Sequence, residues 1–461
     1  MKKLIFLLVS ALAAFAANES LAAQVAGTNA PSAASLPSWL TRPLSLADAM
    51  NTALSQNATI LKAKNDLEAS HGVVVQTRAV AMPQLVANGQ YKRTDRSAIE
   101  GYPVAGFPLL PDQNWNAGIQ IVQAIYEGGR LRAALQAASA TKQQAVAQYD
   151  TVLADTLLSV RLAYNDVLLA AQQIVVHEAS VKLLQKELED QQHRLDAGTV
   201  PKFNVLRADV AVANERPNLI HARNQYRIAK NNLANALGYN LPRDVWENLP
   251  LNLTDEFDLS PWNVVLPEAV QQALNRRTEL LALRKQVTLQ ELNIVNAKAG
   301  YKPTVQLFAG YNWNNAQFTP PVTLDHDISG WNAGAQMSWN IFDGLLTRGK
   351  VIQANAQFEH AKTDLADQSR QIELAVRTAY SDFIEARETL ESQAKVQEEA
   401  DEALREARAR AEAGTGTQLD VLDAQTSLTQ ARTTQIQAQH DYVAARARLE
   451  RAIGADLAPV K

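Results

Sequence analysis

The feature that most constrains the fold is an internal duplication. Similar segments recur at an offset of 331 − 115 = 216 residues, and upstream of the first strand at an offset of 303 − 83 = 220 residues. A fixed offset indicates two copies of one structural unit, and a short length difference between copies falls in a loop. The matched segments are Trp115-Asn-Ala-Gly-Ile-Gln with Trp331-Asn-Ala-Gly-Ala-Gln, Tyr126-Glu-Gly with Phe342-Asp-Gly, Ala197-Gly-Thr with Ala413-Gly-Thr, and Pro83 with Pro303.

Each copy shows the same order of patterns. A helix of about 35 residues ends at a proline and is followed by a strand, a loop rich in Pro, Gly and Asn, and a second strand. A very long helical stretch follows, then a break at the Ala-Gly-Thr motif and a last helix with glycine as its stop. The helices are expected at residues 44–82 and 266–302, at about 129–196 and 345–412, and up to Gly238 and Gly454.

These patterns predict a division of the chain into two repeats with connecting segments. The expected parts are a signal peptide at 1–22, a flexible segment at 23–43, a first repeat at 44–240 with strands at about 83–93 and 115–126 and a tip at 197–201, an inter-repeat segment at 241–265, a second repeat at 266–455 with strands at about 303–313 and 331–342 and a tip at 413–417, and a short tail at 456–461.

The first residues indicate export. Lys2 and Lys3 precede an apolar run at 4–17, and small residues near Ala22 offer a cleavage site, which is typical of a secretory signal peptide. The chain contains no cysteine, which excludes disulfides, thiolate metal sites and acylation of an N-terminal cysteine. No later stretch contains about 18–20 uninterrupted apolar residues, so the sequence predicts entry into a membrane, if any, as β-structure.

The strand patterns favour a membrane sheet. In the strand from Trp331, apolar and polar side chains alternate for about ten residues and the apolar face ends in aromatic residues, as in transmembrane strands with interfacial girdles. For either hairpin taken alone, a soluble, half-buried hairpin is the favoured interpretation. Export, two matching hairpins and the expected absence of a spanning helix favour the membrane.

The number of strands has a consequence for assembly. One chain offers four strands, whereas membrane barrels need about eight or more and leave no edge in lipid. Two chains would give eight strands with a filled interior, and three would give twelve with room for a lumen. The long helices carry a coiled-coil seam with spacings 3, 4, 3, 4 and 3, and each would be on the order of 100 Å long. The seam residues are Leu157, Val160, Tyr164, Val167, Ala171 and Ile174.

Together these features resemble the TolC family of outer-membrane factors. Besides the repeats, the motifs that carry the resemblance are Tyr126-Glu-Gly-Gly, Phe342-Asp-Gly and Gly-Thr-x-Thr-x-x-Asp-Val-Leu-Asp at 414–423. The resemblance implies a mainly α chain with membrane β-structure, assembled as a homotrimer with a twelve-stranded β-barrel continued by a twelve-helix coiled-coil tunnel in the periplasm. It implies a passive conduit of a tripartite efflux pump or a type I secretion system, with no cofactor and no enzymatic activity.

The resemblance also implies partners and site residues. The partners would be a periplasmic adaptor (membrane fusion protein), an inner-membrane pump of RND or ABC type, and outer-membrane lipid. Asp420 and Asp423 match the family's aspartates at the pore aperture, and Asn204 stands at the corresponding place in the first tip. Three copies would form an acidic collar that attracts cations and raises some carboxylate pKa values by crowding. The helix-tip turns that would contact the adaptor are Ala197, Gly198, Thr199, Ala413, Gly414, Thr415, Gly416 and Thr417.

The sequence departs from the family at the residues that close the tips. Well-studied members use an arginine, a tyrosine and an aspartate where this chain has Gly416, Ala411 and Asn204. The closed state is therefore expected to be looser or held in another way. The valine of the family's adaptor-contact element is also replaced, by Ala197 and Ala413.

Other interpretations remain open at this stage. Thr417 followed by Asp420 is also a capping-box pattern, with Asp423 then a solvated helix residue. A structural coiled coil spanning the periplasm, or a surface receptor using loops 94–114 and 314–330, would share most of these features. A mixed net charge of −4 gives no sign of nucleic-acid binding, and the seven histidines lack metal-ligand spacing. The sequence does not identify the cargo.

Overall fold

The computed structural model describes residues 43–98, 113–239, 249–315 and 327–455. The expected signal peptide at 1–22, most of the segment at 23–43 and the tail at 456–461 lie outside the described residues, as do the centres of the two strand loops and residues 240–248. The helices are α1 (Leu46–Gln56), α2 (Ala58–Ala79), α3 (Arg130–Asp196), α4 (Lys202–Leu237), α5 (Leu266–Arg276), α6 (Thr278–Lys298), α7 (Leu346–Glu412) and α8 (Gln418–Ile453). The strands are β1 (Gln84–Arg93), β2 (Gln113–Glu127), β3 (Thr304–Asn315) and β4 (Asp327–Ser338).

The sequence repeat is also a repeat of the backbone. Helices α3 and α7 each have 67 residues, and the return helices α4 and α8 each have 36. Their first residues differ by 346 − 130 = 216 and 418 − 202 = 216, which is the offset of the sequence motifs. Gly238 and Gly454 end the return helices in the left-handed region, with φ of 83° and 76°.

The helix expected to open each repeat is divided in two, so the prediction of one helix over 44–82 and one over 266–302 is wrong. The break falls at Asn57 and at its counterpart Arg277, whose ψ angles of 125° and 122° are extended. Asn57 caps the following helix, because its Oδ1 accepts from the amide of Thr59 at 2.7 Å. Neither position carries the Pro or Gly that would signal such a break.

The four strands form one antiparallel sheet in the order β1-β2-β3-β4. The register places Ile119, Tyr311 and Trp331 in one row across the sheet, and Gln120, Gly310 and Asn332 in the next. Apolar and polar rows therefore lie on opposite faces, as the alternation predicts. Within the described residues, β1 and β4 each have one edge without a partner strand. Strand β4 ends at Ser338, not near residue 342, so Trp339 to Phe342 lie beyond the paired strand.

The largest core lies where residues 249–265 cross the middle of the long helices. This belt segment is irregular and contributes the buried side chains of Leu249, Leu251 and Phe257 to the core. The hydroxyl of Tyr164, only 1% exposed, donates to the carbonyl of Leu44 at 2.9 Å. Of the expected seam, the first four side chains are buried and the last two, Ala171 and Ile174, are half-buried.

One helix of the described chain, α3, is long and apolar enough in composition to cross a membrane. This finding does not contradict the expectation from the sequence, because polar and charged residues interrupt α3 and it contains no uninterrupted run of about 18–20 apolar residues. A third of its most apolar window (33%) is buried inside the chain. Helices packed through an apolar seam have the same composition, so this finding alone does not indicate a spanning helix.

Candidate functional site

The two helix-turn-helix tips share one backbone geometry. Helix α3 ends at Asp196 and α7 at Glu412, and in each tip the second following residue is a left-handed glycine, Gly198 with φ 73° and Gly414 with φ 75°. In each tip the next amide, from a threonine, donates to the carbonyl five residues earlier at 2.9 Å. This C-cap needs glycine because a side chain is strained at positive φ, which explains the repeated Ala-Gly-Thr.

The second tip starts its return helix with a complete capping box. The amide of Thr417 donates to Asp420 Oδ2 at 2.8 Å, and the amide of Asp420 donates to Thr417 Oγ1 at 3.3 Å. The capping interpretation of Thr417 and Asp420 is therefore confirmed. The first tip begins its return helix at Pro201, which makes no side-chain cap.

The capping bonds determine the charge state of Asp420. Hydrogen bonds from the backbone amide and the hydroxyl of Thr417, helped by the charge of Arg410, hold the pKa of the carboxyl below its ordinary value. This effect opposes the increase expected from crowding among several copies. Asp420 therefore enters any assembly as a carboxylate that resists protonation.

Asp423 lies one turn further along α8 and is exposed, as is Asp420. Residues three apart share a helix face, so the two carboxylates lie on one side of α8. The repeat offset assigns their counterparts in α4 as 420 − 216 = 204, Asn204, and 423 − 216 = 207, Arg207. The guanidinium of Arg207 lies 5.1 Å from the ring centre of Phe203.

The sequence motifs did not predict Arg207 as a site residue. It places a cation at the position in the first tip that corresponds to an aspartate in the second. Extending the 216-residue offset past the Ala-Gly-Thr motif would have found it in the sequence. The tips therefore present unlike charges, acidic in the second repeat and basic in the first.

The two tips are joined within the chain. The side-chain amide of Gln418 donates to the carbonyl of Asn204 at 3.1 Å, which ties the start of α8 to the first turn of α4. Between them lies a groove of about 520 Å³ that contains charged side chains of both signs. These include Lys186, Glu187, Asp190, Arg194, Arg207 and Arg408.

Gly416 lies in the tight turn between α7 and α8. A Cβ atom at Gly416 would lie 3.1 Å from both Arg410 Cβ and the nitrogen of Ala411, closer than most side chains pack. The amide of Gly416 also donates to the carbonyl of Arg410 at 2.9 Å. The tight turn therefore leaves little room for a side chain at position 416.

Among the residues that the structure describes, no group of three or more His, Asp or Glu side chains is placed to hold a metal ion. Two of the histidines instead link helices. His177 Nδ1 lies 2.8 Å from Glu215 Oε1, between α3 and α4, and His440 Nε2 lies 2.9 Å from Asp166 Oδ1, between α8 and α3.

Comparison with known proteins agrees with this architecture. The profile of a family described as "Outer membrane efflux protein" matches residues 49–239 and 269–455, which correspond to the two repeats. The chain is 26% identical over 421 residues to the outer membrane protein TolC of Vibrio cholerae, covering 89% of this chain and 90% of that protein. It is 24% identical over 298 residues to the alkaline protease secretion protein AprF of Pseudomonas aeruginosa, covering 64% and 60%.

Solved structures show the same fold. The CmeC outer membrane channel of Campylobacter jejuni superposes with a TM-score of 0.75 at 14% identity, covering 89% of this chain and 85% of that one. At this identity the likeness concerns the fold alone. It spans both repeats, so the arrangement of hairpins, long helices and tips is shared as a whole.

Proposed function

The chain belongs to the outer membrane efflux protein family, and from this premise we propose that it is the passive outer-membrane conduit of a tripartite efflux pump or a type I secretion system. The protein lies in the outer membrane and extends into the periplasm. The observation that carries the proposal is the duplicated unit of a hairpin, a 67-residue helix and a tip. At 1.5 Å per residue each such helix reaches about 100 Å from the sheet.

The unpaired sheet edges support a shared barrel. The chain supplies four strands in the order β1-β2-β3-β4, and an edge left unpaired in lipid would expose backbone groups without hydrogen bonds. Pairing β4 of one copy with β1 of the next removes both edges. A homotrimer then gives twelve strands, which is wide enough for a lumen, and twelve long and return helices for a tunnel.

The partners follow from the position of the tips. A conduit without an energy source needs a pump in the inner membrane, of RND or ABC type, and an adaptor that joins the two. The tips at residues 197–201 and 413–417 would make the contact with the adaptor, because they lie at the ends of the long helices opposite the sheet. The name of AprF links one relative to secretion, and the family name indicates efflux.

The tips would form the entrance. Asp420 and Asp423 of three copies would bring six carboxylates around the axis, with Asn204 at the neighbouring tips. Their field would favour cations over anions. Arg207, if it faces the same opening, would reduce the net charge of the collar and make the selectivity weaker than the aspartates alone would give.

The missing lock predicts a leakier resting state. Gly416, Ala411 and Asn204 offer neither the arginine, the tyrosine nor the aspartate that close the tips in well-studied relatives. The purified trimer should therefore conduct in planar bilayers without adaptor or pump, more than a relative that keeps the lock. A tightly closed trimer would contradict this part of the proposal.

Deletion of the gene tests the function as a whole. We expect the deletion strain to lose export of a defined cargo, measured by susceptibility to toxic compounds and by the profile of secreted polypeptides. A structural coiled coil would give neither a transport defect nor a bilayer conductance. The surface-receptor alternative would rely on loops whose centres lie outside the described residues, and no observation favours it.

A further inference from the structure

A polar groove lies where the sheet meets the helices, at the end of the chain opposite the tips. Its volume is about 490 Å³, and it lies between the start of α3, the end of α6 and the start of α7. Thr304 of β3 and Ser338 of β4 line its sheet side. Helix α6 packs against both α3 and α7 of its own chain. The groove is therefore formed within one copy, whereas a copy paired at the edge of β1 or β4 would adjoin α2 or α7.

Cations outnumber anions among the described side chains that line this groove. The cations are Arg130, Lys302 and Lys350, and the anion is Glu127. Glu127 is neutralised by Arg130, whose Nε lies 2.8 Å from its Oε2. Lys302 and Lys350 are exposed, and neither has an ion-pair partner among the residues that the structure describes. The groove therefore contains two ammonium groups without a counter-charge.

Close packing within the chain fixes the walls of the groove. A Cβ atom at Gly128 would lie 2.9 Å from Lys302 Cβ, so the connection from β2 to α3 lies against the base of Lys302. A Cβ atom at Gly300 would lie 2.6 Å from Thr347 Oγ1, so the turn after α6 lies against the start of α7. Asp343 accepts from the amide of Thr347 at 2.9 Å. Its carboxylate therefore caps α7 and is not the counter-charge of either lysine.

The groove opens on the polar face of the sheet. The register pairs Glu127 with Thr304 and Thr304 with Ser338, so these three side chains form one row. Thr304 lies 310 − 304 = 6 residues before Gly310 on β3 and shares its face, because successive side chains of a strand alternate. In a membrane barrel the apolar face meets lipid and the polar face lines the lumen. A conduit built from this sheet would therefore carry the groove on its inner wall.

The repeated backbone does not require these cations. The connections into α3 and α7 are alike, since Gly129 and its counterpart Leu345 are both left-handed, with φ of 101° and 69°. The repeat offsets give the counterparts of the three cations as 130 + 216 = 346, 302 − 220 = 82 and 350 − 216 = 134. These residues are Leu346, Met82 and Ala134, none of which is charged. The charges therefore have a reason other than the architecture.

We propose that Lys302 and Lys350 form a cationic band on the inner wall of the conduit, which binds oxyanion groups of the cargo, carboxylates or phosphates, as they pass from the tunnel into the barrel. This inference rests on the proposed conduit function and deepens it. Three copies with two lysines each would place six ammonium groups around the lumen, about 100 Å from the acidic tips. Cargo would then meet fields of opposite sign at the two ends of the tunnel.

The remaining polar side chains of the groove suit the same ligand. Each amide side chain offers two N–H donors to an oxyanion, in addition to the charge of the lysines. The amides that line the groove are Asn293, Asn296, Asn340, Gln353 and Gln357.

Rates of thiol modification measure the local potential of the groove, and the chain has no native cysteine that would compete. Asn296→Cys places one thiol on α6, inside the groove. Its reaction rate with an anionic methanethiosulfonate is divided by its rate with a cationic one, in the purified full chain at low salt. The same ratio is then measured for this thiol in a chain that also carries Lys302→Gln and Lys350→Gln.

The matched control removes two cations that lie at the same level but outside the groove. Lys298 of α6 and Arg348 of α7 are exposed. Each lies two residues from a side chain that lines the groove, Asn296 and Lys350 respectively, and so about 200° around its helix. Lys298→Gln with Arg348→Gln therefore makes the same change of charge on the other side of the helices.

We expect the ratio to fall at least about fivefold when the groove lysines are neutralised, and less than about twofold in the control. Equal ratios in the two variants would overturn the proposal, because the potential would then not arise in the groove. A thiol at 296 that neither reagent reaches would also overturn it, because the groove would then be closed to cargo. These outcomes do not depend on conduction.

Block of the bilayer current by pyrophosphate tests whether the band faces the lumen. The parent and the control variant should be blocked at concentrations about tenfold lower than the chain with Lys302→Gln and Lys350→Gln. Equal block of all three proteins would refute the band and leave the conduit function intact. A parent that carries no current would count against the conduit, whereas the modification ratio would still decide whether the groove is cationic.

Discussion

The two repeats are alike in backbone and different in chemistry. The lengths of the long and return helices, the left-handed glycines at the tips and the glycine stops are the same in both. The side chains placed on this frame differ at the tips, at the helix break and at the hairpin junctions. The duplicated chain has kept the residues that its backbone requires, whereas charge and packing differ between the repeats at the tips, the helix break and the hairpin junctions.

One cationic position of the repeat contacts the belt segment (residues 249–265) in both copies. Lys230 of α4 donates to the carbonyl of Leu249 at 2.8 Å, and burial lowers the pKa of its ammonium. Its counterpart at 230 + 216 = 446 is Arg446 of α8, which donates to Ser260 Oγ at 3.1 Å. The same cationic position therefore holds both ends of the belt against the helices.

The largest expected effect comes from Arg451, which lies beside the helix break at Arg277 and has no charged counterpart in the first repeat. Arg451 is buried in the second repeat and donates to Asp155 and Glu279, both at 2.7 Å, whereas the offset gives the exposed Asn235 in the first. Arg451→Ala would leave the half-buried Glu279 with Arg277 as its remaining cationic partner. We expect a loss of about 1–3 kcal/mol in the free energy of unfolding, measured by urea titration in detergent.

Asn235→Ala is the matched control and should change the unfolding free energy by less than about 0.5 kcal/mol. The stability that the cluster of Arg451, Asp155 and Glu279 provides should also decrease in acid. Burial raises the pKa of Glu279, but hydrogen bonds and the charges of Arg451 and Arg277 outweigh it, so the net pKa is lowered from 4.5. Its contribution is thus present above pH 4.5 and lost as the pH falls through the folded value. Equal costs at positions 451 and 235 would contradict the asymmetry.

The second prediction exchanges residues at the hairpin junctions. Gly129→Leu should cost about 1–2 kcal/mol, because a Cβ there meets only Val295 at 3.8 Å and the penalty is conformational. Leu345→Gly should be neutral or stabilise by up to about 1 kcal/mol, since relief of strain is partly offset by the flexibility of glycine. Thermal unfolding of both variants measures the pair. A clear destabilisation by Leu345→Gly would show that Leu345 packs within the protein.

The third prediction concerns the tips. Thr417→Ala removes the N-cap of α8 and should cost about 1 kcal/mol of unfolding free energy. Pro201→Ala in the first tip removes no side-chain cap and should cost less. Hydrogen exchange of the first turn of each return helix gives the local readout. Similar exchange in the two variants would show that the capping box contributes nothing to the second tip.

The smallest expected effect is a pH dependence of stability from His440 of α8, which its counterpart in α4, Asn224, does not share. Burial lowers the pKa of His440, but hydrogen bonds to Asp166 and Asp441 and their charges outweigh it and raise the pKa above 6.5. The protonated ring stabilises the fold fully below pH 6.5, and this contribution is lost as the pH rises through the folded value. With Asp166 half exposed we expect less than about 1 kcal/mol. His440→Gln should abolish this part of the pH dependence of melting, while Asn224→Gln at the matched position should leave it unchanged.

The architecture could be predicted because it rests on repeated local signals. Gly198, Gly414, Gly238 and Gly454 mark helix ends that only a left-handed residue can make, so the helix limits follow from the sequence. The alternation of apolar and polar residues predicted the two faces of the sheet, because successive side chains of a strand point to opposite sides. The break at Asn57 was missed, because asparagine alone is a weak signal; here it caps α2 while its side-chain amide also donates to the carbonyl of Ala236, a residue 179 positions away.

The site was predicted less completely. Asp420 and Thr417 form the expected capping box, because that motif is local in sequence. The link from Gln418 to Asn204 depends on how two distant tips pack and leaves no sequence pattern. The strain at Leu345 was invisible for another reason, since its φ is fixed by the duplicated turn rather than by leucine's own preference.

The central claim is that the second tip forms an acidic entrance to a shared conduit, and ion selectivity tests it most directly. The purified protein with Asp420→Asn and Asp423→Asn would be compared in planar bilayers under a salt gradient with the parent and with Asp382→Asn, a control about 45 Å along α7 from the tip. The account predicts that the preference for cations over anions falls in the tip variant and stays unchanged in the control. A reversal potential identical in all three proteins would contradict it.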